Sequence, residues 1–224
     1  MKKFGDQKGQ QASPRYRVDS EGRTIFLDRD LKLSDDEAGR LSFLASIRAQ
    51  GRAGRFYYKP DPGNSDLIEQ FYFMVFMHKK MPEITLSHES IVWSKDKIAI
   101  GYLIEYFPGI MFGELRAAEN WALKPEAAAG LVNIVNALWK NDIKHGDLKE
   151  GNVLVGIEAP NRGKAIAIDA HPPSITLNYD AFYDVEEAVD LLRMLRMDAP
   201  ELRGIITANA EPALAGHLLL RLRI

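Results

Sequence analysis

This chain has no cysteine among its 224 residues. That excludes disulfides, thiolate nucleophiles and cysteine-ligated zinc or iron–sulfur centres within it. It also lacks any apolar run near the roughly 20 residues needed to span a bilayer, and its first residues lack a secretory apolar region. An excess of charge is missing too: 29 Lys and Arg stand against 31 Asp and Glu, a formal net charge of −2, so there is no global signal for nucleic acid. These absences point to a cytoplasmic protein. The length suffices for one substantial core, or for two small lobes sharing a cleft.

What is present is concentrated in one stretch, His145-Gly146-Asp147-Leu148-Lys149-Glu150-Gly151-Asn152, followed by the apolar run Val153-Leu154-Val155. A helix with Leu131, Ile134, Val135 and Leu138 on one face, opened by Pro125, delivers the chain to it. A second strand, Ala165 to Ile168, ends at Asp169. Two carboxylates and a carboxamide thus stand at the ends of short buried elements, where loops carry chemistry on a rigid scaffold.

The remaining elements follow in order. Residues 1–13 are polar and rich in Gln, Lys and Gly, and are expected to be a flexible N-terminus. Tyr16 to Leu27 reads as a hairpin turning at Asp19-Ser20-Glu21-Gly22. Ser34 and Glu37 have capping-box spacing, and Leu41, Leu44, Ala45 and Ile47 suggest a helix ending near Gln50-Gly51. Phe56 to Lys59 reads as a strand stopped by Pro60. A helix opened by Asp66 and Glu69 is expected to bury Ile68, Phe71, Tyr72 and Val75 and to end before Pro82. Ser90 to Trp93 and Lys97 to Ile104 form a second hairpin, and Met111 to about Ala122 a short helix with its connection. Val185, Ala188, Val189, Leu192 and Leu195 mark a further helix, and Pro212 to the end the last one.

The loop motif resembles the H-x-D-x-x-x-x-N signature of protein-kinase-like phosphotransferases, and the resemblance extends over about Phe56 to Leu195. It implies an α+β, bilobal protein-kinase-like fold. Residues 14–107 would be a small β-rich N-terminal lobe and 108–224 a reduced, mainly helical C-terminal lobe. It implies ATP and Mg2+ as cofactors. Asp147 would orient the acceptor hydroxyl and Lys149 would stabilise the transferring phosphate, while Asn152 and Asp169 would hold the metal. Lys59 would pair with the α and β phosphates, with Glu69 as its carboxylate partner. Glu105 to Phe107 would offer backbone groups to the adenine edge. Asp184 or Asp180 would brace the loop, and His145 would be structural.

Departures from the pattern carry information. No glycine-rich phosphate loop is convincing; Ser20–Gly22 and Gly51–Gly54 are the candidates. Gly146 stands where many regulated protein kinases have arginine, and Asp169-Ala170-His171 replaces Asp-Phe-Gly. The segment between Asp169 and the next helix is short, leaving little material for a peptide groove. The chain therefore looks like the compact members: lipopolysaccharide core sugar kinases, and RIO- and Bud32-like atypical protein kinases. A sugar or related small-molecule acceptor is the leading expectation, with a protein hydroxyl second and a non-catalytic nucleotide-binding module third. The basic, leucine-rich end, Leu218 to Ile224, would suit an anionic membrane surface or would pack its leucines against the body.

Overall fold

The computed structural model describes residues 16–19, 24–35, 41–49, 52–60, 67–93, 99–105, 107–173 and 183–224. The stretch 1–13, the turn residues 20–22, Gly51, Asp66 and Asp180 lie outside them, as does the side chain of Lys59.

Six strands close into an antiparallel barrel: β1 (Tyr16–Asp19), β2 (Thr24–Asp35), β3 (Leu41–Ala49), β4 (Arg52–Pro60), β5 (His88–Trp93) and β6 (Ala99–Glu105). Their order around it is β1-β2-β3-β4-β6-β5, with β5 pairing back onto β1 through Val18 and Trp93. Between β4 and β5 runs helix α1 (Leu67–Lys80). The chain then forms β7 (Gly109–Met111), two short 3-10 turns over Phe112–Arg116 and Ala118–Leu123, and helix α2 (Lys124–Asn141). Strands β8 (Val153–Gly156) and β9 (Ala165–Ala167) pair with β7 in the order β7-β8-β9. Helices α3 (Tyr183–Met194), α4 (Ala199–Asn209) and α5 (Pro212–Leu222) complete the chain.

The first hairpin and the β5–β6 hairpin form as the sequence suggests. The strand carrying Lys59 forms too but begins at Arg52, so Arg52, Ala53 and Gly54 of the candidate phosphate loop pair with Ala49, Arg48 and Ile47 in a ladder instead. The helix expected after Ser34 does not. Ser34 lies inside β2, and Leu41 to Ala49 is a strand paired on both sides, Ala45 lying opposite Leu27 and Phe56. Leu41, Phe43, Ala45 and Ile47 alternate with a period of two, and pairing along both edges supplies ladder hydrogen bonds in place of helical ones. On α1 the buried side chains are Leu67, Phe71, Met74 and Met77, while Ile68, Tyr72 and Val75 face solvent. Met111 starts no α-helix; it ends β7. Helix α4 is one more than expected, anchored by only two buried side chains, Leu202 and Ile206.

Two apolar cores meet at the β8–β9 pair. One joins α2, α3, α4 and α5 to Met74, Met77 and Met81. The other joins Leu67, Phe71, Tyr102, Ile104 and Phe107 to Leu154 of β8 and Ile166 beside it on β9. Alternate residues of these two strands therefore face opposite cores, as the pleat requires. The seam is also hydrogen-bonded: Ala167 N–H donates to Ile84 C=O at 2.7 Å, with Thr85 bridged to Ala167 in parallel. Helix α2 lies close on β9 because position 130 is glycine; a Cβ there would sit 2.6 Å from that of Ala165. Each fully buried aliphatic side chain of α2 contributes roughly 1.5–3 kcal/mol. Leu131, Ile134 and Val135, each at 1% exposure or less, hold the helix that leads into the loop.

Candidate active site

Helix α2 ends at Asp142, which adopts a left-handed conformation (φ 51°), and the chain turns into the loop. His145 is fully buried. Its backbone N–H donates to Asp184 Oδ2 at 2.7 Å, and the Gly146 N–H donates to Asp184 Oδ1 at 3.2 Å. One buried carboxylate from the start of α3 thus takes both amides of the turn. Gly146 has φ 77°, a region that costs other residues strain, so glycine is the residue this turn needs.

The imidazole of His145 connects the two halves of the site. Its Nδ1 accepts the Asp147 N–H at 3.4 Å, so Nε2 carries the proton and donates to Ile168 C=O at 2.9 Å. Burial lowers its pKa below the ordinary histidine value; the nearby charges of Asp184 and Asp147 pull the other way without prevailing. A neutral imidazole with one donor and one acceptor fits both bonds. Two backbone bonds add to this link: Ile168 N–H to Asn152 C=O at 2.9 Å and His171 N–H to His145 C=O at 2.7 Å. The loops 145–152 and 168–171 are consequently one stitched unit.

Asp147 stands at the centre. Its Oδ2 receives Lys149 Nζ at 2.7 Å and Asn152 Nδ2 at 2.8 Å. The same Nδ2 donates to Asp147 C=O at 2.8 Å, so the amide of Asn152 is oriented by two acceptors and its oxygen faces away from them. Lys149 is half-exposed and Asp147 one-quarter exposed, which leaves the carboxylate open to a molecule from solvent. Glu150 turns aside to pair with Arg116. Asp169, at the end of β9, has φ 61°, a left-handed conformation that aspartate tolerates better than most residues.

Two residues of the site escaped the sequence reading. Tyr102 on β6 is buried, and its hydroxyl donates to Asp169 Oδ1 at 3.4 Å. His171 places Nε2 4.0 Å from Asp147 Oδ2. Neither has a local signal, since the first contact spans 67 positions of sequence. Of the two candidates for bracing the loop, Asp184 does so. Of the remaining predicted residues, Glu69 is exposed on the first turn of α1. Glu105 ends β6, its backbone N–H on Ser87 C=O and its carboxylate 3.3 Å from Ser87 N. Phe107 is buried in the core that includes Leu154 and Ile166.

Asn152 and Asp169 offer a carboxamide oxygen and a carboxylate. Both are hard-oxygen groups of the kind that magnesium takes. Among the described residues no group of three or more His, Cys, Asp or Glu is placed to hold a metal ion alone. Nor is any helix among them long and apolar enough to cross a membrane. In α5, Leu214 and Leu218 are buried against the body, and Leu220 is the exposed one. The chain matches no protein-family model and no curated relative.

Proposed function

We propose that this chain is an ATP-dependent phosphotransferase of the protein-kinase-like type, built as a β-rich lobe over a reduced helical lobe, that moves the terminal phosphoryl group of ATP to a hydroxyl acceptor. One observation carries the reading. A partly exposed carboxylate, Asp147, is held between an ammonium and a carboxamide, on a loop stitched to a second carboxylate-bearing turn.

In this reading the acceptor hydroxyl donates a hydrogen bond to Asp147, which aims its oxygen at the terminal phosphorus. As the new O–P bond forms and the bond to the bridging oxygen of ADP breaks, the proton passes to Asp147. The Lys149 ammonium, 2.7 Å from Asp147, is near enough to swing onto the transferring oxygens, where charge accumulates. Asn152 and Asp169 would hold magnesium, which when bound offsets charge on the phosphates. Asn152 spends both N–H groups on Asp147, so one side chain would fix the distance between acceptor and metal. Lys59, aimed by Glu69, would take the α and β phosphates, and the backbone of 105–107 the adenine edge.

The acceptor class follows from what little chain surrounds the site. Only residues 170–182 separate Asp169 from α3. That favours a compact acceptor, a lipopolysaccharide-core sugar or related small molecule, over a peptide laid along a groove. The test is transfer of labelled phosphate from ATP with magnesium, using acceptor extracts and Asp147→Asn as control. Label in a glycan or lipid fraction, reduced by a few orders of magnitude in the variant, is the expected result. Label on a protein, lost in the same variant, would move the acceptor to a serine or threonine hydroxyl. ATP binding without transfer would leave a nucleotide-binding module, and absence of ATP binding would overturn the reading.

A further inference from the structure

We infer that Tyr102 is a positioning residue for Asp169, and that through the ring of Phe71 it ties the placement of α1 to that carboxylate. The inference rests on the reading of Asp169 as the carboxylate that holds magnesium.

Tyr102 is 1% exposed, and burying a phenol is costly unless its hydroxyl finds a partner. Asp169 Oδ1, at 3.4 Å, is one such partner. The hydroxyl thus reaches from β6 to the carboxylate that follows β9. The ring is held at two points, by neighbours that also touch each other. His88 packs on it with centroids 5.3 Å apart and a tilt of 39°, Phe71 does so at 6.0 Å, and Phe71 and His88 touch each other at 6.1 Å. Phe71 lies on α1, the helix that also bears Glu69. A shift of α1 therefore displaces the ring, and the ring carries the hydroxyl with it.

Asp169 is left-handed, with φ 61°, at a point where the chain has left β9. Tyr102, reaching it from another element, is one restraint on its carboxylate. Partners of this kind, one step removed from a metal, commonly change metal affinity when lost. At 3.4 Å the contact is longer than the roughly 2.5–3.0 Å usual for an O–H···O bond, so the expected effect lies below the usual scale for such partners.

Tyr102→Phe keeps the ring contacts and removes only the hydroxyl. Binding of ATP would be followed by calorimetry at increasing magnesium chloride, on the full chain, for wild type, Tyr102→Phe, Phe71→Leu, the double variant and Asp169→Ala. The expected result is an increase of about three- to ten-fold in the magnesium concentration giving half-maximal binding for Tyr102→Phe. ATP affinity at saturating magnesium should be unchanged, a split that a general loosening of the core would not give. Phe71→Leu should shift the midpoint the same way by less, and should add nothing in the Tyr102→Phe background. An unchanged midpoint in Tyr102→Phe, with Asp169→Ala shifted, would overturn the inference and leave the phosphotransferase reading intact. Wild-type binding that ignores magnesium, or an Asp169→Ala midpoint equal to wild type, would remove the assignment of Asp169 itself and the inference with it. Should Tyr102→Phe fail to fold, Tyr102→Met takes its place in the same titration; failure of both would assign Tyr102 to packing alone and overturn the proposal.

Discussion

Helices α1 and α2 share a core with residues of β8 and β9 and are anchored in opposite ways. Helix α2 buries Ala127, Ala128, Leu131, Val132, Ile134 and Val135 almost completely, and Gly130 lets it lie directly on β9. Its loop is then fixed by Asp184 of α3, which accepts the backbone N–H groups of His145 and Gly146. Helix α1 buries one strip, Leu67, Phe71, Met74 and Met77, and exposes Ile68, Tyr72, Val75 and Phe76. Two of its four anchors are methionines, flexible side chains that keep contact as a neighbour moves. The loop side of the site is therefore built to hold one geometry, whereas the α1 side can adjust without opening the core.

The contrast can be broken or sharpened by substitution. The largest effect is expected at Asp184→Ala, which strands two buried N–H groups of the loop. It should cost on the order of 2–4 kcal/mol in denaturant unfolding. Next is Gly130→Val. The new side chain meets Ala165 at once, and repacking α2 against β9 should cost about 1–3 kcal/mol, read as a lower urea midpoint. A smaller effect concerns pH. Burial keeps His145 below its ordinary pKa, so below about pH 6.5 the unfolded chain binds a proton there that the folded chain refuses. Stability from this site is present above that pH and falls as the pH is lowered through it. Denaturation between pH 7.5 and 5 should show a flatter pH dependence in His145→Gln than in wild type, whatever the variant's absolute stability. The smallest effect belongs to α1: Tyr72→Gln, on its exposed face, should change the unfolding midpoint by no more than about 0.5 kcal/mol. A loss as large as that of Gly130→Val would mean α1 is held as tightly as α2.

The same contrast explains what could be read without coordinates. The loop was legible as a cluster because its polar groups lie within eight consecutive residues. The apolar periods of α2 and α3 were legible because each helix has one dominant face. Residues 41–49 misled because Leu41, Leu44, Ala45 and Ile47 fit a helical spacing while Leu41, Phe43, Ala45 and Ile47 fit a strand. Pairing with β2 and β4 decided between them, and pairing is not a local property. In α1 both faces are apolar, so the sequence does not say which one the core takes. Two buried side chains were too few to announce α4. The contact between Tyr102 and Asp169 depends on the barrel meeting β9, which no short window contains.

The left-handed turn at Asp169 has a consequence for which residues the position can hold. Its backbone admits glycine, asparagine and aspartate with little strain and disfavours glutamate and every branched side chain. A metal-holding anion would admit aspartate and glutamate. The two filters act independently and overlap in one amino acid, so an asparagine there keeps the turn without the charge and a glutamate keeps the charge without the turn.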